Sequence, residues 1–588
     1  MPPRSQKLAV CGFTEGYWPN QVITGPGAVM NSAYRGAGWW HRPTGQIESW
    51  QGVAQVSSTN IGARLFAIDT QRGSVAGSSV GSSLVKYRGG ALFFLADAAS
   101  KQVYLDETAL TGITTSATPY KLSVAIPNGG GYLLYEAGLT APSQPTLAVS
   151  GTPGTKSMLG VYSIVLCKMR NATKAVGDPC AAVETASLVA GNQVDITFPA
   201  ADTTQGQDYW VIGATATNEG KNGPWQVLDI VSEATVNAAG ARTLTYEWRD
   251  GELGDEIALD NDVPPLASGI IAINDVLVLW GTGGSSDGAP GPEMRYSKPG
   301  KPESFPPNAR VATTNHENML NALAGEGRIY ILTSNTLQVA SLAGNSTLAI
   351  RPVWNFGFAS GQAAVVCDQT LYGFTKSGPT RTRAQDDPDH EFAEPVLSDM
   401  KTWTASRVVV GVDPKNQAVV FFHHDGAGNA TALAYMLVTG KWSAPMTFSG
   451  QVQSCATVNG LLYLDVLTGG NSRSYLFDSG GSSGNWYAVT PFLDCGLEGI
   501  DKCVTDWQVT GLADTARLFK AQDAIPDVTN TGAADGQVQT LAASSSHNSR
   551  FPVNVPFCKS FAMGVFGATA SETVSEIAVW GYPQGVRR

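Results

Sequence analysis

Five short apolar runs, centred on Leu277, Tyr330, Tyr372, Val420 and Tyr463, recur at separations of 53, 42, 48 and 43 residues. Each follows the same order of turn, apolar run and polar loop. A four-stranded propeller blade occupies roughly 40–50 residues, so this spacing points to a series of similar small sheets through the middle of the chain. No WD or kelch signature accompanies it.

The same grammar holds outside the repeat. The runs 64–68, 91–95, 103–105, 276–280, 328–332, 417–422 and 461–464 are rich in β-branched and aromatic residues and are bounded by turn residues, which is how strands read. Asn128-Gly129, Asp250-Gly251, Asp425-Gly426, Asn459-Gly460 and Asp535-Gly536 are pairs favoured in type I′ hairpin turns, whose two central residues need positive φ. The 65 glycines and 32 prolines supply such turns, and no stretch shows a helix of ordinary length. The expected fold class is all-β: a β-propeller of six or seven blades.

Two segments break the series. From Pro142 the chain runs through Ala141-Pro142-Ser143-Gln144-Pro145 into strand-like runs at 161–165, 194–198 and 208–212, which predicts a small sandwich inserted into the propeller. Past a Gly/Ser stretch at 479–484, strands resume at 503–509, 560–566 and 574–580, predicting a C-terminal β module that also closes the ring. The expected domains are therefore 1–141 (first propeller strands and platform), 142–249 (inserted sandwich), 250–480 (blades) and 481–588 (C-terminal module).

Composition narrows the functional classes. With 43% hydrophobic residues the chain can bury real cores, and only 15% of residues are charged. Glycine has no triplet period, and no run approaches the ~20 apolar residues of a membrane-spanning helix. The start, Met1-Pro2-Pro3-Arg4-Ser5-Gln6-Lys7, lacks a signal-peptide pattern, so synthesis and use in a cytoplasm, or release by lysis, is expected. Cys11, Cys167, Cys180, Cys367, Cys455, Cys495, Cys503 and Cys558 form no C-x-x-C pair and read as free, buried thiols. A net charge of −11 and the lack of any basic run argue against sequence-specific nucleic-acid binding.

Chemistry-bearing motifs are sparse. Six histidines (His41, His316, His390, His423, His424 and His547) show no metal-ligand spacing. His423 and His424 end a strand and point to opposite faces, which reads as two surface histidines. Gly440-Lys441-Trp442 lacks the hydroxyl of a phosphate-binding loop, and no G-x-S-x-G elbow is present. Two acidic clusters stand out: Asp386-Asp387-Pro388-Asp389-His390-Glu391, and Asp255-Glu256 with Asp260-Asn261-Asp262. Each reads as a solvated turn, as oxygen ligands for a cation, or as the paired carboxylates of a glycosidase. Trp442 reads as a core wedge between blades; Trp39-Trp40 reads either as core or interface or as a sugar-stacking pair.

Three segments carry a family likeness. The run 31–45, containing Tyr34-Arg35-Gly36-Ala37-Gly38-Trp39-Trp40-His41-Arg42-Pro43, the run 295–306, containing Arg295-Tyr296-Ser297-Lys298-Pro299-Gly300-Lys301-Pro302, and the ending 574–585, containing Val579-Trp580-Gly581-Tyr582-Pro583, resemble tail nozzle or hub proteins (tail tubular protein B-like) of short-tailed bacteriophages. The segment from Pro142 resembles the fibronectin- or immunoglobulin-like insertions of such proteins. The resemblance implies a virion structural protein, assembled in the host cytoplasm as a homo-oligomeric ring, a hexamer, at the distal end of the tail. It implies docking to the tail adaptor protein and to tail fibres or spikes, non-specific passage of double-stranded DNA through the lumen during genome ejection, and contact with the bacterial cell surface. It supplies no catalytic, cofactor-binding or metal residue, so no enzymatic activity is expected. Two alternatives stand beside it: a carbohydrate-binding or carbohydrate-cleaving propeller, and a receptor-binding adhesin whose inserted sandwich is the binding module.

Overall fold

In the computed structural model the described residues are 6–11, 16–17, 32–33, 35–37, 39–44, 46–56, 83–86, 90–95, 102–105, 108–114, 118, 120–151, 153–156, 158–284, 290–325, 327–343, 347–383, 387–458, 460–479, 486–490, 502–511, 515–520, 537–541, 551–558, 561–567 and 573–583. The predicted strand at 64–68, the Asp535-Gly536 turn, Asp386, His547, Cys495 and residues 480–484 of the predicted linker lie outside them. The fold is all-β and propeller-like in its sheets; the described α-helices are Glu233–Ala238 and Leu397–Met400. Among the described residues no helix is long and apolar enough to cross a membrane.

By contact the chain divides into two units, residues 66–355 and residues 1–65 with 356–588. The first contains three four-stranded antiparallel sheets. One joins Ser83–Lys86, Leu92–Leu95, Ser123–Asn128 and Gly131–Glu136; two are consecutive meanders, Gly269–Ile273 to Arg310–Ala312 and Met319–Gly325 to Thr347–Trp354. Between them lies the sandwich. One sheet pairs Val194–Thr197 with Thr146–Val149 and Thr243–Tyr246; the other pairs Ser163–Arg170 with Tyr209–Ala214, which pairs on with Gln226–Ser232. Ile164, Leu166, Ile196, Phe198, Trp210 and Trp248 share its core.

The second unit contains the three-stranded sheet Ala364–Cys367, Thr370–Thr375 and Gly378–Thr382, then the four-stranded meander from Val408–Asp413 to Met446–Ser449. The next sheet, Gln451–Val458, Leu461–Thr468 and Asn471–Phe477, takes its fourth strand from Val53–Gln55, near the other end of the chain. Two further sheets also mix chain ends. Thr573–Pro583 pairs with Lys502–Gly511, with Gln6–Cys11 and with Ile47–Ser49, and Arg35–Ala37 pairs with Trp486–Val489.

The repeat seen in sequence has a structural counterpart. Leu277, Tyr330, Tyr372, Val420 and Tyr463 all lie on the second strand of five successive sheets. That strand has partners on both sides; Leu277, Tyr330, Tyr372 and Val420 are buried and Tyr463 half-buried, so the apolar runs stand out in sequence. The turns follow the sequence pattern less closely. Val458 pairs with Leu461, and Gly460 stands at φ 80°, while Asn459 lies outside the described residues. The hairpin at 128–131 turns one residue later than predicted, on Gly129 and Gly130 at φ 55° and 92°. Asp250-Gly251 is no hairpin turn: it starts a 3₁₀ turn, Asp250–Glu252, whose last residue bonds back to the Arg249 amide.

The sandwich is tied to its neighbours in the first unit by a buried ion pair. Arg170 ends the inward row that includes Ile164 and Leu166, and its Nη1 lies 2.5 Å from Glu303 Oε2, with both side chains essentially sealed from solvent. The guanidinium also donates to the carbonyls of Glu136 and Gln205 and stacks 5.0 Å over the Tyr135 ring. Glu303 accepts from the Gly138 amide at 2.7 Å and from the Thr173 hydroxyl. A buried pair satisfied this fully tolerates neither partner alone. Arg170→Met is expected to cost about 3–5 kcal/mol by urea denaturation, because it strands a buried carboxylate, while Arg170→Met with Glu303→Leu recovers most of that loss. Equal losses in the single and double variants would show that packing, not charge, sets the cost.

Candidate functional site

A cleft of about 460 Å³ opens beside this ion pair, between the sandwich and the sheets of the first unit. Leu139 and Thr140 form one wall, Asp262, Val263 and Pro265 of the connector leaving the sandwich form another, and Asp178, Arg295 and Phe305 complete it. The walls come close because Gly138 sits at φ +87° with Pro264 Cδ 2.5 Å from where a Cβ would stand, so a side chain there would collide with the connector.

Two carboxyls meet in the cleft. Asp178, half-buried, accepts the Asn261 amide at 2.9 Å. Burial first, and the neighbouring Asp262 carboxyl second, push its proton affinity up; the Asn261 amide and the charge of Lys298 pull the other way. Asn261 is itself held by Lys298, whose Nζ donates to Asn261 Oδ1 at 2.8 Å and pairs with Asp260. The arrangement can hold a proton between two carboxyls beside apolar walls, or accept hydrogen bonds from a cationic group. Among the described residues no three His, Cys, Asp or Glu side chains are gathered as a metal site.

The structure sorts the sequence candidates. Of the second acidic cluster, Asp260, Asn261 and Asp262 come to the cleft or its edge, while Asp255 and Glu256 are exposed and lie where the connector runs beside Gln226 and Val227. Asp178 carries no such signal in the sequence, because it stands alone after a short strand, 82 positions before Asp260, and only tertiary packing joins them. In the first cluster Asp389 is taken up structurally: it pairs with Arg381 Nε at 2.6 Å and accepts the amides of Glu391 and Phe392. That is the solvated-turn reading with a capping role added.

His423 and His424 are half-buried rather than freely exposed. His423 stacks on Trp403 at 5.2 Å, accepts the Thr404 amide at 3.1 Å, and burial with the nearby His424 and Arg407 charges pulls its pKa down to about 4. It stays neutral near pH 7 and serves as an acceptor. Trp39 and Trp40 are fully buried, Trp39 donating to the Tyr487 carbonyl and Trp40 packing on Phe477, so neither is open to a sugar ring. Trp442 is a core wedge, donating to the Phe392 carbonyl at 2.7 Å among Phe421 and Tyr435.

No known family model matches the chain, and no curated protein matches it. Among solved structures, one described as a structural and mechanistic analysis of two prolyl endopeptidases matches at 12% identity and a TM-score of 0.22, over 71% of this chain. The match spans 53% of that structure's chain, about half its length. This corrects one expectation. The structure matched is that of an enzyme, and the expectation of a non-enzymatic protein is withdrawn. A likeness this distant assigns no activity and no residue role.

The Asp178 carboxyl yields a pH prediction. A raised acid favours the folded state most below its unfolded pKa of about 4, and that contribution is lost as pH climbs through the raised folded value. Asp178→Asn keeps an acceptor for the Asn261 amide and cannot ionise. Its melting temperature relative to the natural chain should therefore rise between about pH 4 and 7, by a few degrees at most because the group is partly solvated. A difference that stays constant across that range would refute the assignment.

Proposed function

We propose that the protein is a structural subunit of a short-tailed bacteriophage tail, a propeller that assembles as a hexameric ring at the distal end and surrounds the channel for the leaving genome. In this reading the six described meander-type sheets are blades, the sandwich is an outward insertion, and the ring docks to the tail adaptor and to fibres or spikes.

The observation that carries the reading is the weaving of the chain ends. Two of the segments that resemble tail nozzle proteins are near neighbours in one sheet: Trp39–His41 pairs with Ile47–Ser49, which pairs with Thr573–Pro583. Val53–Gln55 completes another sheet more than 400 residues away in sequence. Strands from both ends, hydrogen-bonded side by side, hold both end regions of the chain within the sheets. This suits a part that carries load while DNA passes. The third segment is also structural, since Glu303 and Phe305 are buried in the first unit. A net charge of −11 fits a lumen along which phosphates slide rather than bind.

Antibody-gold labelling of intact particles from the source lysate, viewed by electron microscopy, tests this directly. Label is expected at the distal end of a short tail. Accessible, intact particles without label would overturn the proposal.

A further inference from the structure

The walls of the cleft are held in place by bonds of their own. The Thr140 amide and hydroxyl donate to Gln205 Oε1 at 3.2 and 3.1 Å, and Lys168 Nζ, nearly sealed from solvent, donates to both Thr140 Oγ1 and Gln205 Oε1. On the connector side the Phe305 amide donates to the Asp262 carbonyl at 3.1 Å, and the Asn261 amide to Asp178 at 2.9 Å. A preformed hollow of about 460 Å³ lies in the size range of small-molecule sites, and little ordering of the protein is needed when it fills.

The lining selects what fits. Leu139, Val263, Pro265 and Phe305 give an apolar wall, and the carboxyls of Asp178 and Asp262 come within hydrogen-bond reach of each other beside it. The neighbouring cations are committed elsewhere: Lys298 Nζ donates to Asn261 Oδ1 and pairs with Asp260, while Arg295 donates from Nη1 to the Pro307 carbonyl at 2.9 Å and lies 3.7 Å from Glu293. Two carboxyls this close either share a proton or take a positive charge between them. A metal ion suits the place poorly, since among the described residues no third His, Cys, Asp or Glu joins the pair, and a hard cation needs more oxygen ligands than two carboxyls give. An organic ammonium brings three donors for the acids and a carbon body for the apolar wall.

We propose that the cleft binds a primary ammonium ion carrying a small apolar body, with the ammonium between Asp178 and Asp262 and the body against Phe305 and Pro265. The site belongs to the first unit alone and does not rest on the tail assignment, so the failure of either leaves the other standing.

Isothermal titration calorimetry of the full-length chain with phenethylamine tests this, with phenethyl alcohol as the neutral isostere and calcium chloride as a third titrant. Saturable binding of the amine at one site per chain is expected, with the alcohol weaker by about tenfold or more because the charge-assisted bonds to the carboxylates are lost. Asp262→Asn, a change at an exposed side chain, should weaken the amine by about tenfold and leave the alcohol unaffected. Asp178→Asn gives the same reading if Asp262→Asn fails to fold. Equal affinity for amine and alcohol would overturn the proposal, as would an amine affinity untouched by these substitutions or no saturable binding at millimolar amine. Calcium binding without amine binding would also overturn it, by showing a metal site instead.

Discussion

The pair of Arg170 and Glu303 is the interaction on which the first unit depends. Neither charge has water to fall back on, so each needs every partner it has: two backbone carbonyls and an aromatic face for the arginine, an amide and a hydroxyl for the glutamate. Those partners come from the sandwich, from the sheet ending at Gly131–Glu136 and from the turn before Phe305. The sandwich therefore cannot sit on its sheets in another register without leaving a charge uncompensated. Apolar packing fills the core, and the ion pair chooses the orientation.

A second constraint acts in the other unit. A meander leaves an exposed strand edge, which invites pairing with another chain. Here the edge of Asn471–Phe477 is covered by Val53–Gln55, and Thr573–Pro583 is flanked by early strands. These contacts span most of the chain length. They close slowly, because chain entropy is lost before the contacts form, and they hold both termini in place once made.

The cleft follows from the same geometry. The connector 258–265 has to leave the sandwich, pass the Gly138 bend and enter the strand Gly269–Ile273. In doing so it carries Asp260, Asn261 and Asp262 past Asp178 and Lys298. The hydrogen bonds of this crossing hold its backbone in place.

The sequence by itself determined the class of fold and the phase of its repeat. Strand periodicity, turn residues and the spacing of buried second strands are local properties, so Leu277, Tyr330, Tyr372, Val420 and Tyr463 mark five successive sheets before any contact is known. Trp442 could be assigned to the core because a large apolar ring at a strand end has few other uses. Tertiary structure alone decided the rest. It paired Arg170 with Glu303 across 133 positions, buried Trp39 and Trp40, drew His423 onto Trp403 and brought Asp178 to Asp262. Charges and hydrogen-bonding groups are satisfied by whatever the fold places beside them, and pairings over such distances leave no periodic trace in a single chain.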